Sequence, residues 1–570
     1  MNFSLPGQAP KKIGIFFGFL GVGILFRFWT FFQSGLDWDE SLYTLVSQSM
    51  LNGNLPYIEV WDNKPIGIYV LYVIAFSLFG KSIFAIRLLS CLAIATTCYV
   101  LYYLGRLFGK DVGKDGRAIG LFAALIYVAS SLQNEGTAAN TEIFFIPFVA
   151  TAYYLIFLEW LQTNQNLKRK KWTFSIIGLL LGVAFIIKYI VIYDLIAILL
   201  LTILQPFFRS SFNGRQHFDN LIILTLLLFG FLLPFLLMAS VFIFNGYFSD
   251  FFYANFTANK IRTIDRGFSA TVVAKAFLSH LLSNFPLWLC FGLTYLTLIS
   301  KFSRRILSIE RTLLLLLLLW ILIPLTGIFL TFRVRFYAHY FLPLLPPLSL
   351  VTAFFLTRVF WRQTFLKNLF PGRNNFNKGT GKQSKRLIAT QNPISETHIS
   401  SLESYQPCFL WLLVAILFIG FYATPDFRKS IRFFYFRYVK GVPDYQDKPA
   451  EVAKYLQLRV NPHEYIYIAD YDPVVYFLSN TKIPTKYAYP FFLIGDNLPK
   501  VAGVNSIQEL SSLMSKRPLY IVMSTISKEG KHNRLFYSEL NHWLKRDYFL
   551  EKEDDEVKLY RRKSAENVHK

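Results

Sequence analysis

Apolar residues along this chain fall in long unbroken runs, not in stripes. "SIIGLLLGVAFII" and "TLLLLLLLWILIPLTGIFL" show no polar face at a helical or strand period. Helices that are apolar all round belong in lipid or deep inside a large core. Eleven such segments are predicted as membrane spans: 13–33, 84–108, 118–133, 142–161, 173–187, 190–207, 219–245, 274–300, 312–332, 337–360 and 408–424. A twelfth, 66–80, is apolar for about 15 residues, short of the ~20 that a crossing needs, and is predicted to be interfacial or re-entrant. Beyond 425 the pattern changes. "EYIYIAD" and "RPLYIVMST" read as buried strands, "DKPAEVAKYLQLR" and "LFYSELNHWLKRD" as amphipathic helices, and "DEVKLYRRK" as a closing strand. The fold class expected is a polytopic α-helical membrane protein with about 11 spans plus interfacial helices, followed by a small C-terminal α/β domain outside the membrane. The domains are 1–424, with a first outer loop at 34–83 and a flexible cytoplasmic loop at 361–407, and 425–570.

Charge orients this arrangement. The chain is 54% hydrophobic and 16% charged, with a net charge of +24. In a soluble protein that excess would point to nucleic acid. Here the lysines and arginines collect in connections between apolar runs: 106–117, "KRKK" at 168–171, Arg209 and Arg215, "KFSRR" at 301–305, and a loop from Arg362 to Arg386. With the N-terminus inside and 66–80 not crossing, every one of these clusters falls inside; a full crossing by 66–80 would place them all outside. The expected location is the plasma (bacterial inner) membrane, multi-pass, with a cytoplasmic N-terminus and an extracytoplasmic C-terminal domain. Lys11 and Lys12 precede the first run and no small-residue cleavage site is clear, so it reads as an uncleaved span. Cys91, Cys98, Cys290 and Cys408 lie in apolar stretches without metal-ligand spacing and read as packing residues.

The topology puts the polar residues that lack a topological reason on one face. These are Asp37, Asp39, Glu40, Asp62 and Lys64, then 133–142, Lys188, the aromatic and basic loop 246–273, and Arg333, Arg335 and His339. Taken singly, each has a plain explanation. Asp39 and Glu40 precede the helical pattern Leu42, Leu45, Val46, Ser49, Met50, where acids suit the helix dipole. Tyr43 stands one helical turn beyond Asp39. Lys64 precedes Pro65, a helix-starting residue, and a lysine at an interface ordinarily reaches for head groups. Glu142 in "NTE" suits a helix start, and Lys188 a turn, with Asp194 as a candidate partner. In "DYDP", 470–473, Asp470 or Asp472 is expected to cap the helix that starts near Pro473.

Together the residues carry a resemblance. "DWDESLY" followed by "WDNKPIGIY" and "RLLS", from Asp37 to about Ser90, resembles the first outer loop of the GT-C glycosyltransferases that use polyprenyl-phosphate sugars, the protein O-mannosyltransferases and lipid A aminoarabinose transferases among them. "AANTEIFFIPFVATAYYL", "GLLLGVAFIIKYI" and "RVRFYAHYFLPLLPPLSL" resemble later elements of the same family, and the likeness covers most of the chain to about 360. Many relatives read Lys-Pro-Pro where this chain has Lys64-Pro65-Ile66.

The resemblance implies transfer of a sugar, with inversion, from a polyprenyl-phosphate donor to an acceptor hydroxyl on a lipid, protein or glycan at the outer face. Asp39 would be the catalytic base with Glu40 its neighbour. Lys64, Lys188, Arg333 and Arg335 would bind the donor phosphate, and Tyr43, Tyr57, Asp62, Glu142, His339 and Tyr340 would contact substrate. It implies no metal and no cofactor, although Asp39, Glu40 and Asp62 are groups of the kind that hold a divalent cation. A non-enzymatic carrier or flippase of lipid-linked sugars is the other class considered. It would show polar residues near mid-membrane and paired repeats; here the polar groups crowd one interface and no repeat is evident. Nucleic acid is not an expected partner.

Overall fold

The structure, a computed structural model, describes residues 9–108, 115–162, 166–208, 214–264, 269–300, 309–332, 336–361, 416–525 and 533–563. Among the described residues of the first part the α-helices are α1 Ala9–Arg27, α2 Trp38–Leu51, α3 Gly67–Phe79, α4 Ile83–Phe108, α5 Asp115–Ser130, α6 Thr141–Leu161, α7 Leu167–Phe185, α8 Ile192–Phe208, α9 Gly214–Phe244, α10 Phe248–Phe252, α11 Ala258–Ile264, α12 Ala270–Ser283, α13 Phe285–Ser300, α14 Ile309–Phe332 and α15 Leu345–Trp361. Helix α16 runs over 416–434.

Six described helices are long and apolar enough to cross a membrane, within Ile13–Phe32, Ile83–Phe108, Thr141–Leu161, Phe218–Phe244, Glu310–Phe332 and Ala338–Arg358. Three shorter apolar helices accompany them: Gly67–Phe79, Gly116–Ser130 and Tyr189–Gln205. The protein is a multi-pass membrane protein. Helix α3, at 13 residues, is as short as its sequence predicted. The expected straight span 274–300 is instead two helices, α12 and α13, meeting at 93°. Pro286 has no N–H to offer Leu282, and its ring would collide with that carbonyl, so α12 cannot continue through it. The chain turns at Asn284, whose N–H closes on the His280 carbonyl at 3.0 Å. The predicted span 408–424 begins outside the described residues, and the loop 361–407 lies there almost entirely.

Lipid offers helices little hydrophobic reason to associate, so close backbone approach carries the packing. Gly178 on α7 faces α9 so closely that a Cβ there would run into the Leu227 carbonyl. Gly120 on α5 meets the Tyr102 carbonyl of α4 in the same way. The helices have two ends. Glu142, opening α6, and Lys188, just past α7, share one; the basic run 168–171, opening α7, lies at the other.

The C-terminal part holds helices α17 Lys448–Gln457, α18 Val474–Ser479, α19 Phe491–Ile494, α20 Leu498–Ala502, α21 Ser506–Ser515 and α22 Arg534–Asp547. They pack with strands β1 Ile466–Asp470, β2 Tyr520–Ser524, β3 Tyr548–Glu553 and β4 Val557–Arg562, in sheet order β1-β2-β4-β3. β1 and β2 are parallel; the other pairings are antiparallel. The predicted strands and helices are present. β3 was not predicted, because an edge strand bearing Glu551, Lys552 and Glu553 shows no apolar alternation.

Candidate active site

The site is built around the start of α2. Asp37 caps this helix, its Oδ1 accepting the Asp39 N–H at 3.0 Å. That puts Asp39 and Glu40 in the first turn, 100° apart around the axis, so they face different neighbours. Asp39 turns to the loop before α3, where Lys64 Nζ donates to its Oδ2 at 2.7 Å and to the Tyr43 hydroxyl at 3.3 Å. Glu40 turns into the protein, where it is 1% exposed. There it forms a two-pronged pair with Arg87 of α4 and accepts the Ala139 N–H at 2.7 Å.

The loop bearing Lys64 is held from behind. Tyr57, buried with φ +74°, donates its hydroxyl to the Lys64 carbonyl at 2.9 Å. Asn63 and Asn259 of α11 bond each other, Asn63 Nδ2 to Asn259 Oδ1 at 3.1 Å and Asn259 Nδ2 to the Asn63 carbonyl at 3.0 Å. One turn beyond Asn259, Arg262 reaches the same space as Lys64. From α6, Glu142 pairs with Lys188, whose ammonium lies 4.7 Å from the centre of the Tyr340 ring. Asp194, the partner considered for Lys188, instead accepts from Tyr153 at 3.3 Å.

These groups line a cavity of about 210 Å³, with Asp39, Tyr43, Lys64, Glu142, Lys188, Arg262, His339 and Tyr340 in its wall. A larger one of about 1060 Å³ shares Asp39, Lys64, Arg262, His339 and Tyr340, and adds Asp62, Glu135 and the aromatic residues Trp38, Tyr337, Tyr489 and Phe491. The second cavity is thus walled partly by the C-terminal domain.

Charge within the site is uneven. Burial alone would push Asp39 up, but the adjacent Lys64 ammonium outweighs it and holds the carboxyl at about 2. Burial would lower Lys64, yet Asp39 and Asp62 keep it above an ordinary lysine. Asp62 is 2% exposed and bonded to the Tyr69 hydroxyl at 2.7 Å; burial pushes it up to about 6.

Asp39, Tyr43, Lys64, Glu142, Lys188, His339 and Tyr340 are therefore brought together. Asp62 joins them through the larger cavity, His339 with its Nδ1 bonded to Glu135 at 2.7 Å. Glu40 and Tyr57 are not in either wall and support the groups that are. Arg333 and Arg335 lie outside the described residues, directly after the wall residue Phe332. Asp39, Glu40 and Asp62 do not converge, and among the described residues no three His, Cys, Asp or Glu side chains do. Sequence reasoning passed over Arg262, Asn259, Glu135 and Arg87. The aromatic loop 246–273 was noted, but its regular helix α11, which aims Arg262, has no signature beyond the "ANKIR" spacing.

Residues 63–237 match the family described as dolichyl-phosphate-mannose-protein mannosyltransferase. That match spans under half of the chain, and the whole chain shares its fold with a solved membrane transferase. Its fold is that of ArnT from Cupriavidus metallidurans. In a crystal structure bound to undecaprenyl phosphate the TM-score is 0.59 at 14% identity, covering 98% of this chain and 99% of that one. In the apo state it is 0.57 at 13% identity, covering 97% and 98%. No curated protein matches the chain by sequence. The segment matching the family supplies Lys64, Glu142 and Lys188 to the cavity; Asp39 precedes it, and Arg262, His339 and Tyr340 follow it.

Proposed function

We propose that this protein transfers a sugar from a polyprenyl-phosphate donor to an acceptor hydroxyl, with inversion, at the outer face of a plasma membrane. The N-terminus is cytoplasmic in this reading and the domain from 425 onward is outside. The observation that carries it is the cavity that brings Asp39 together with three cations, Lys64, Arg262 and the Glu142-paired Lys188. The similar ArnT structure that holds undecaprenyl phosphate supports the donor class.

The acceptor oxygen attacks the anomeric carbon while its proton passes to the Asp39 carboxylate. The bond from that carbon to the phosphate oxygen breaks, and the electron pair leaves with the polyprenyl phosphate. The growing negative charge on the leaving phosphate is met by cations already in place. Attack from the face opposite the phosphate inverts the centre. A carboxylate at about 2 is a feeble base. Phosphate binding corrects this, since a phosphate drawing Lys64 to itself weakens the hold on Asp39 and raises its basicity when the donor is bound. Arg333 and Arg335 extend the phosphate-binding set, and Tyr43, His339 and Tyr340 the substrate contacts. The larger cavity, with its aromatic wall, admits the acceptor. Glu40 and Tyr57 hold the machinery in place, and no step needs a metal.

The test uses the full chain in lipid nanodiscs with polyprenyl-phosphate hexoses and pentoses as donors. Asp39→Asn is expected to lose turnover by about 10²–10⁴-fold while still binding polyprenyl phosphate. Full turnover in Asp39→Asn would eliminate this mechanism. Labelling of a cysteine placed at 168–171 from inside the cell only is the expected result for the topology.

A further inference from the structure

The segment from Ser34 to Ser41 carries Asp39, and the C-terminal domain grips both its ends. Ser34 gives its backbone N–H, at 3.0 Å, and its hydroxyl, at 2.7 Å, to Asp447 Oδ2. Seven residues on, the Ser41 hydroxyl donates to Asp472 Oδ1 at 2.7 Å. All four side chains are buried. Between them Gly35 lies so close to Asp472 that a Cβ at that position would enter its carboxylate. Asp447 and Asp472 are themselves fixed: Asp447 directly precedes α17, and Asp472 accepts the Val474 N–H of α18 at 2.9 Å.

The membrane part holds the same segment from the other side. Asn140 donates to Asp37 Oδ2 at 2.9 Å, and Arg87 holds Glu40 and the Gln33 carbonyl, the latter at 3.1 Å. Of the acids and hydroxyls from 34 to 41, Asp39 alone is turned onto Lys64. The loop leading to Lys64 rests on the C-terminal domain as well. Trp61 donates its N–H to the Lys486 carbonyl at 2.8 Å, and its ring meets Phe492 edge-on at 4.7 Å.

We infer that the C-terminal domain is a positioning element of the active site, with Asp447 and Asp472 acting through Ser34, Gly35 and Ser41 to fix Asp39 relative to Lys64. Both halves of the Asp39–Lys64 pair are seated on the same C-terminal sheet-and-helix body, so their spacing depends on that body as well as on the membrane part. Neither carboxylate lines the smaller cavity, and neither needs to touch substrate. The inference rests on the reading of Asp39 as the base. A misplacement of about 1 Å at a reacting group costs on the order of a hundredfold in rate, so small displacements of this segment are visible in turnover.

The experiment compares Gly35→Ala, Ser41→Ala and Asp472→Asn in the full chain in nanodiscs, with Asp39→Asn alongside. Each is read by kcat, by KM for the polyprenyl-phosphate sugar, and by hydrogen–deuterium exchange over 34–46. Gly35→Ala and Ser41→Ala should exchange faster over this segment and lose about tenfold or more in kcat, with KM within about threefold of the parent. Asp472→Asn, whose amide oxygen still accepts from Ser41 and Val474, should retain kcat. Unchanged exchange in both Gly35→Ala and Ser41→Ala overturns the clamp. Faster exchange with unchanged kcat overturns positioning, and so does a loss shared equally by kcat and donor affinity. Should Asp39→Asn keep turning over, the base reading fails by itself, and the exchange measurement still decides whether the domain holds the segment.

Discussion

Lys64 Nζ stands 2.7 Å from Asp39 Oδ2, joining residues 25 positions apart across two separate elements. The contact pairs the group read as the base with a cation read as a phosphate ligand. Each therefore occupies the other. Under the proposed function, donor binding would exchange one anion for another at Lys64.

Lys64→Met removes the charge that holds Asp39 at about 2, and burial then dominates. The Asp39 carboxyl should rise above its ordinary value, moving the acid limb of the kcat/KM profile upward in pH. Affinity for polyprenyl phosphate should fall by about tenfold or more, measured by direct binding in nanodiscs. An unshifted acid limb would separate Asp39 from that titration.

Lys188 and Glu142 form a buried pair at the ends of α7 and α6, 13% and 1% exposed. Replacing one member leaves the other charged and unpaired, which costs about 3–5 kcal/mol. Lys188→Met should lower the thermal midpoint markedly, and Lys188→Met with Glu142→Gln should restore most of it. Both should lose donor binding, because the cation is absent in each. Equal midpoints for the single and double variants would show that the pair is not coupled.

Glu40 sits beside Asp39 in sequence but is bonded to Arg87 and to the Ala139 N–H. Glu40→Gln leaves the Arg87 guanidinium buried without its counter-ion, and should destabilise the protein by about 3–5 kcal/mol. Binding of polyprenyl phosphate by the folded fraction should be unchanged. A loss of kcat with an unaltered thermal midpoint would instead place Glu40 in the chemistry.

Asp62 has its carboxyl raised from 3.8 to about 6 in the folded protein. The folded state therefore binds a proton more tightly than the unfolded chain. Its contribution is fully present below about pH 4 and is lost as pH rises through about 6. Asp62→Asn should flatten the fall in thermal midpoint across that window. A wild-type midpoint that rises there, and is unaffected by the substitution, would contradict the raised value.

The sequence by itself marked the long apolar helices fit to cross a membrane, six of them among the described residues where eleven spans were expected, because a helix with no polar face needs apolar surroundings. It also showed that 66–80 is short for a crossing, that the tail carries strands and amphipathic helices, and that Asp470 or Asp472 would cap a helix, since each depends on a few adjacent residues. It marked Asp39, Lys64, Glu142, Lys188, His339 and Tyr340 as candidates through their place in a recognisable pattern. Tertiary structure alone decided the partners. Asp39 and Glu40 are neighbours in the chain with the same charge, yet one opens into a cavity and the other is locked to Arg87, because the helix turns them 100° apart toward different walls. Arg262 enters the site only because Asn63 and Asn259 dock α11 beside Lys64. The grip of Asp447 and Asp472 on Ser34 and Ser41 links positions more than 400 residues apart. Contacts at that separation arise from how the domains pack, and no local periodicity records them.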